Sequence, residues 1–210
     1  GLVEALKTKY KQPIELVHRL DRSTSGCLIL AKKRSVLKAL HEQLVQHQME
    51  KRYIALVKNS WSKKRHTIDA PIYQNSRYSV IDAKGKQAVS HFHPLKNFQK
   101  DDFSASLVEV VIETGRTHQI RAHMKHLGHQ LFHDLEYDGD RIVKGTTFTK
   151  FKQFVDNCFV LLPGQALHAK SLGFVHPKTG EDMLFDSELP DNFIEVLDKW
   201  RKYAISAKNS

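Results

Sequence analysis

The segment from Leu16 to Ala31 constrains this chain more than any other. It sets one carboxylate, Asp21, between Arg19 and Arg22, and follows them with Ser23, Thr24, Ser25 and Gly26, residues that favour turns. The apolar run after Gly26 reads as a buried strand reaching to Lys33, and the residues before Asp21 read as another. A charged loop held at both ends by strands is where binding and catalytic groups concentrate. An isolated Asp in such a loop would be read as the cap of a surface turn.

Two cysteines, Cys27 and Cys158, have no CxxC partner, so a disulfide framework is not expected and a reducing cytoplasm is the expected location. No apolar run approaches the roughly 20 residues of a membrane span, so no membrane partner is expected. With 210 residues, 40% hydrophobic and 27% charged, the chain is expected to form one domain over residues 1–203, with a frayed tail over 204–210. The net charge of +10 suits a polyanionic partner, and equally a solvated basic surface. The chain does not begin with Met, and is expected to be a fragment.

The first ten residues suit a short amphipathic helix that Pro13 follows, since proline disfavours helix in the residue before it. Ser35 is placed to cap a helix over 36–47, with Leu37, Leu40 and Leu44 on one face. Residues 49–58 read as a strand entered through Lys51 and Arg52, with Tyr53 just inside it. Around Trp61, the run Lys63, Lys64, Arg65 and His66 is a basic cluster beside an aromatic ring. It reads equally as a nucleic-acid surface and as a solvated turn with a half-buried tryptophan. Alternation over 88–98 and 103–113 predicts two antiparallel strands with a turn at 100–102. Residues 140–160 read as a connection with helical content, and 167–177 with 183–185 as a hairpin. A last helix over 192–203 carries Phe193, Val196, Leu197 and Trp200 on one face.

The second strong constellation runs from Thr114 through Gly115, Arg116, Thr117, His118, Gln119, Ile120 and Arg121 to Met124. Thr117 is placed to cap a helix ending near Leu127, with Gly128 as its stop. Ile120, Met124 and Leu127 would form its core stripe, and His118, Arg121 and Lys125 another face. The helix N-terminus would favour anions. Thirteen histidines, among them His91, His93, His123, His126, His129 and His133, form no complete four-ligand spacing, so no metal site is expected. Neither a Walker loop nor a GxGxxG after a strand is present, and no cofactor is expected.

Four segments resemble, in order, the motifs of the RluA-type pseudouridine synthases: His18 to Asp21 with Thr24 to Gly26, Lys51 with Tyr53, Gly115 to Arg121, and Leu167 to Ala169 with His176 to Gly180. The likeness covers about residues 15–190 and is greatest to the RluC branch, which acts on large-subunit ribosomal RNA. It departs at Gly128 to Tyr137, where a proline, often with a glycine before the Asp, would be expected. The resemblance implies an α+β pseudouridine synthase catalytic fold with a central mixed, mainly antiparallel sheet flanked by helices and loops. It implies a bacterial RNA-modifying isomerase, with Asp21 as the catalytic residue, Arg121 as its salt-bridging partner, Ile120 packing in the same pocket and Tyr53 stacking on the uracil. Whether the Asp would add to the sugar or abstract a 2′ proton stays open. The target uridine must be flipped out of its helix, with Arg19 filling its place or contacting a phosphate. Arg22, Lys51, Arg52, Arg116, His118 and Lys125 are the expected RNA-binding residues. A monomer is expected. An S4-type domain, a linker and an early Lys-Pro strand normally precede this region, so weaker RNA affinity is expected of the fragment. A transfer-RNA-modifying relative and a catalytically silent RNA-binding module are the alternatives.

Overall fold

The computed structural model describes residues 2–62, 64–76, 78–100, 103–141 and 149–205. In chain order the elements are α1 (Leu2–Tyr10), β1 (Glu15–Leu16), β2 (Ser25–Gly26), β3 (Leu30–Ala31), α2 (Arg34–Val45) and β4 (Glu50–Lys58). There follow β5 (His66–Asp69), β6 (Ile72–Gln74), β7 (Ser79–Ile81), β8 (Val89–Lys100), β9 (Phe103–Ile112) and α3 (Gln119–His126). The chain closes with α4 (Thr149–Leu161), β10 (Leu167–Val175), β11 (Asp182–Asp186) and α5 (Asp191–Ile205). A seven-stranded sheet runs β11-β10-β4-β9-β8-β5, and β2 pairs parallel to β10 beside that path. All its other pairings are antiparallel, so the sheet is mixed and mainly antiparallel, as expected.

Strand β4 shows how the sheet divides the core, because successive side chains of a strand face opposite sides. Ile54 and Leu56 pack with Phe193, Val196, Leu197 and Trp200 of α5 and with Val155 and Cys158 of α4. Tyr53, Ala55 and Val57 pack on the other side with Val108, Val110, Ile120 and Met124, which brings α3 against the sheet. Each fully buried aliphatic side chain contributes about 1.5–3 kcal/mol. That stripe therefore decides which side of β4 the functional residues share.

Several local expectations are corrected. The strand expected over 26–33 is two two-residue pieces, β2 and β3, because the chain leaves β10 after Gly26 to pair with β1 instead. Helix α2 begins at Arg34, with Lys33 at its cap position and no side-chain cap bond from Ser35. Trp61, expected to be half-buried or at a surface, is 5% exposed, with His129 at 4.5 Å and Phe92 at 5.5 Å between ring centroids, and Lys63 of the neighbouring basic cluster lies outside the described residues. Residues 142–148 and 206–210 lie outside the described residues, so the expected tail is described only as far as Ile205, the last residue of α5.

Candidate active site

The Asp21 loop is clamped at both ends. Before it, Leu16 and Glu15 pair with Leu30 and Ala31, and the Ile29 N–H donates to His18 Nε2 at 3.1 Å. After it, Ser25 and Gly26 pair with His168 and Ala169, and the Cys27 N–H donates to the Ala169 carbonyl at 2.9 Å. His168 is fully buried, and its Nε2–H donates to the Ser187 carbonyl at 3.1 Å. That leaves Nδ1 as the acceptor for the Ser25 hydroxyl, 2.8 Å away. Gln165 adds a bond to the Arg22 carbonyl at 2.6 Å, and the Thr24 N–H closes a turn onto the Asp21 carbonyl at 3.0 Å. The clamp needs glycine at 26: φ is +108°, and a Cβ there would lie 2.1 Å from the Ala169 carbonyl oxygen.

The Asp21 carboxylate, 19% exposed, faces a cavity of about 100 Å³ whose wall includes Arg19, Tyr53, Arg116, His118 and Ile120. Arg121 Nη1 stands 3.8 Å from its Oδ2. Burial raises the Asp21 pKa above its ordinary value, against the opposing charges of His118, Arg121 and Arg19. Tyr53 reaches the same cavity from β4, where burial and then the Asp21 charge push its phenol far up. The phenol is therefore neutral at any working pH, and serves as a donor and an apolar ring.

Arg121 is held from behind. Its Nε and Nη2 donate to the two oxygens of Asp134, each at 2.8 Å, and Nη2 also reaches Glu136 at 2.6 Å. Its guanidinium carbon lies 4.7 Å from the Tyr137 ring centre. His118 sits at φ +52° at the head of α3, a left-handed conformation uncommon outside glycine. Its Nδ1 is 3.0 Å from the Tyr137 hydroxyl, and burial lowers its pKa. Thr117 is not the cap expected. Gln119 folds back instead, its Oε1 taking bonds from the Arg116 N–H at 3.1 Å and the Thr114 hydroxyl at 2.7 Å. The expected C-terminal stop is present, with Gly128 at φ +76°.

The cavity thus sets a half-buried carboxylate, with Arg121 at its side, beside an aromatic ring and an apolar residue, and among the described residues no second carboxylate lines it. The family profile described as RNA pseudouridylate synthase matches residues 4–126, which contain the Asp21 loop, Tyr53 and Arg121. The chain belongs to that family. Among its relatives in it are the ribosomal large subunit pseudouridine synthases C of Buchnera aphidicola subsp. Baizongia pistaciae and of Escherichia coli (strain K12). They are 37% and 36% identical over 204 and 208 residues, 94% and 96% of this chain. An uncharacterized RNA pseudouridine synthase of Bacillus subtilis, YlyB, is 40% identical over 190 residues, 89% of this chain. The chain covers 60%, 61% and 56% of the lengths of those three relatives. The human RNA pseudouridylate synthase domain containing 1 shares the fold with a TM-score of 0.69 at 25% identity, over 90% of this chain and 74% of that one. Human RNA pseudouridylate synthase domain containing 4 gives 0.73 at 22%, over 95% and 80%.

Of the residues expected at the functional site, Asp21, Arg19, Tyr53, Ile120, Arg116 and His118 all line one cavity, and Arg121 stands against it. Arg22 is exposed beside it. Arg52 is not brought there. It projects from the opposite side of β4, paired with Glu50 and, at 3.5 Å, with Glu109. Lys125 pairs with Asp138 at 2.8 Å. Lys51 is not a surface cation but 6% exposed, donating to the Glu113 carbonyl at 3.3 Å and the Thr114 carbonyl at 3.5 Å. The residue that sequence reasoning missed is Asp134; its signal was an Asp retained in the one segment that departs from the family pattern. Among the described residues no group of three or more His, Cys, Asp or Glu side chains is placed to hold a metal ion.

Proposed function

We propose that this chain isomerises uridines in large-subunit ribosomal RNA to pseudouridine, with Asp21 as the catalytic carboxylate. The observation that carries the reading is the shared wall of Asp21, Tyr53 and Ile120 in one small cavity, with the Arg121 guanidinium 3.8 Å from the carboxylate. In the reaction the bond from C1′ to N1 of the uracil breaks and a bond from C1′ to C5 forms. The C5 proton leaves and N1 gains one, so the product is an isomer. Asp21 acts at the sugar in its ionised form, which the charges of His118, Arg121 and Arg19 favour and burial opposes. Ile120 and the Tyr53 ring hold the detached uracil between apolar faces, and the neutral Tyr53 phenol is a proton donor within the cavity. The uridine reaches this depth only when flipped from its stack. Arg19, exposed at the rim, is placed to meet the strand it leaves. The relatives named for large-subunit pseudouridine synthesis support the choice of RNA.

Tritium release from C5-labelled uridine in large-subunit ribosomal RNA tests the reading. The wild type should release it and Asp21→Asn should not; equal release by both would remove Asp21 from its role.

A further inference from the structure

A second cavity, of about 420 Å³, lies against the first and shares with it Arg19, Tyr53, Ile112, Gly115 and Arg116. Lys51 faces this space. Its Nζ is 3.8 Å from the point that a Cβ on Gly115 would take, so the ammonium sits at the shared wall. The contrast with Arg121 is informative. That buried cation is matched by Asp134 and Glu136, whereas Lys51 has only two carbonyl oxygens at 3.3 and 3.5 Å. Among the described residues no carboxylate lies within ion-pair distance of Lys51, Arg19 or Arg116, though Arg116 Nε donates to the Gln87 carbonyl. A buried cation without a counter-charge is unfavourable, and an anion entering the cavity would relieve that cost. Burial and the neighbouring Arg116 lower the Lys51 pKa to about 8, which leaves it mostly charged at neutral pH. Facing these cations, Val17 and Leu44 give the cavity an apolar wall.

An anion that also carries an apolar, flat part meets those demands. We infer that the second cavity seats the nucleotide covalently next to the reacting uridine, with its phosphodiester against Lys51 and Arg116 and its base toward Val17 and Leu44. The inference rests on the reading of the first cavity as the uridine site. Two nucleotides joined by one phosphodiester would then occupy two cavities joined at Tyr53 and Gly115. Lys51 would read no base. It would fix the register of the strand that the flipped uridine belongs to.

Binding of single-stranded hexauridylate across a range of salt concentrations tests it, with Lys51→Met removing the charge at similar length. The variant is expected to bind about 10-fold more weakly, with the dependence of log K on log salt shallower by about 0.7, one phosphate contact on a single strand. Unchanged affinity and slope in a folded variant would overturn the inference. So would weaker binding with an unchanged slope, which is the mark of a lysine that only ties β4 to the Glu113 and Thr114 carbonyls. Should Lys51→Met not fold, Arg116→Gln is read by the same slope and decides alike. Tritium release by the wild type reports separately on the first cavity. Its absence alongside an intact Lys51 effect would sink the isomerase reading and leave the phosphate site standing.

Discussion

Arg121 grips Asp134 through two parallel hydrogen bonds of 2.8 Å, and both side chains are almost wholly buried. Bidentate geometry of this kind fixes a guanidinium plane as well as its charge. With Nε and Nη2 committed to Asp134 and Glu136, Nη1 is the nitrogen left toward Asp21. Asp134 is therefore a positioning residue: it acts on Asp21 through Arg121, and three carboxylates, Asp134, Glu136 and Asp21, share one cation unequally.

Asp134→Asn should destabilise the fold by about 3–5 kcal/mol, because it leaves Arg121 buried with its main counter-charge gone. Urea unfolding checks this. In the same variant the acid limb of activity should move to lower pH. Asp134 raises the Asp21 pKa by repulsion, and its loss also frees Arg121 to approach Asp21. A limb that moves upward would contradict the arrangement.

Asp21 itself should be a burden on stability. Its folded pKa is raised, chiefly by burial, so the stabilising form is the protonated one. That stability is fully present below the unfolded pKa and is lost as pH rises through the folded pKa. Asp21→Asn, neutral throughout, should match the wild type in acid and melt at a higher temperature near neutral pH. Thermal melts of both proteins at several pH values would show the two curves diverging upward from about pH 4, near the ordinary Asp pKa. A variant less stable than the wild type at pH 7 would refute this.

What was legible in the sequence followed from periodicity and from motif spacing. The alternation along 88–98 and 103–113 gave β8 and β9, and the stripe Phe193, Val196, Leu197, Trp200 gave α5 and its buried face. Period two also explains the one misplaced pair. Lys51 and Arg52 are adjacent, hence on opposite sides of β4, so both could not face the same cavity. What was not legible depends on contacts distant in the chain. The Ser25–His168 bond joins residues 143 apart, and the Asp134 grip on Arg121 needs a loop whose course no local pattern dictates. The start of α3 was misread because His118, in a left-handed conformation with no side-chain cap bond, holds the cap position assigned to Thr117.

Gly26→Ala tests the clamp directly. The added Cβ would overlap the Ala169 carbonyl oxygen, and the strained φ alone costs about 1–3 kcal/mol. Parting β2 from β10 also loses the Cys27 to Ala169 bond, about 1 kcal/mol net. Denaturant unfolding should show a loss above about 2 kcal/mol. Where the variant still folds, turnover should fall more than RNA affinity, since the Asp21 loop is what has moved.

Tyr53→Phe separates the ring from the phenol. The ring packs among the apolar residues on the α3 side of β4, and phenylalanine keeps it there. RNA affinity should therefore stay within about two-fold, a difference of less than 0.5 kcal/mol. Tyr53 lines the cavity with Asp21, and its phenol pKa is pushed so far up that it remains a donor throughout the assay range. If it transfers or holds a proton during the reaction, single-turnover rates should drop by about 10²-fold, the lower end for a positioned acid or base. No alkaline limb belonging to Tyr53 should be seen below pH 10 in the wild type, because the raised pKa keeps the phenol protonated there. Single-turnover tritium release by both proteins across pH 6–10 measures each of these at once. An unchanged rate in the variant would leave Tyr53 as a packing ring and move the proton transfer to another group in the same wall.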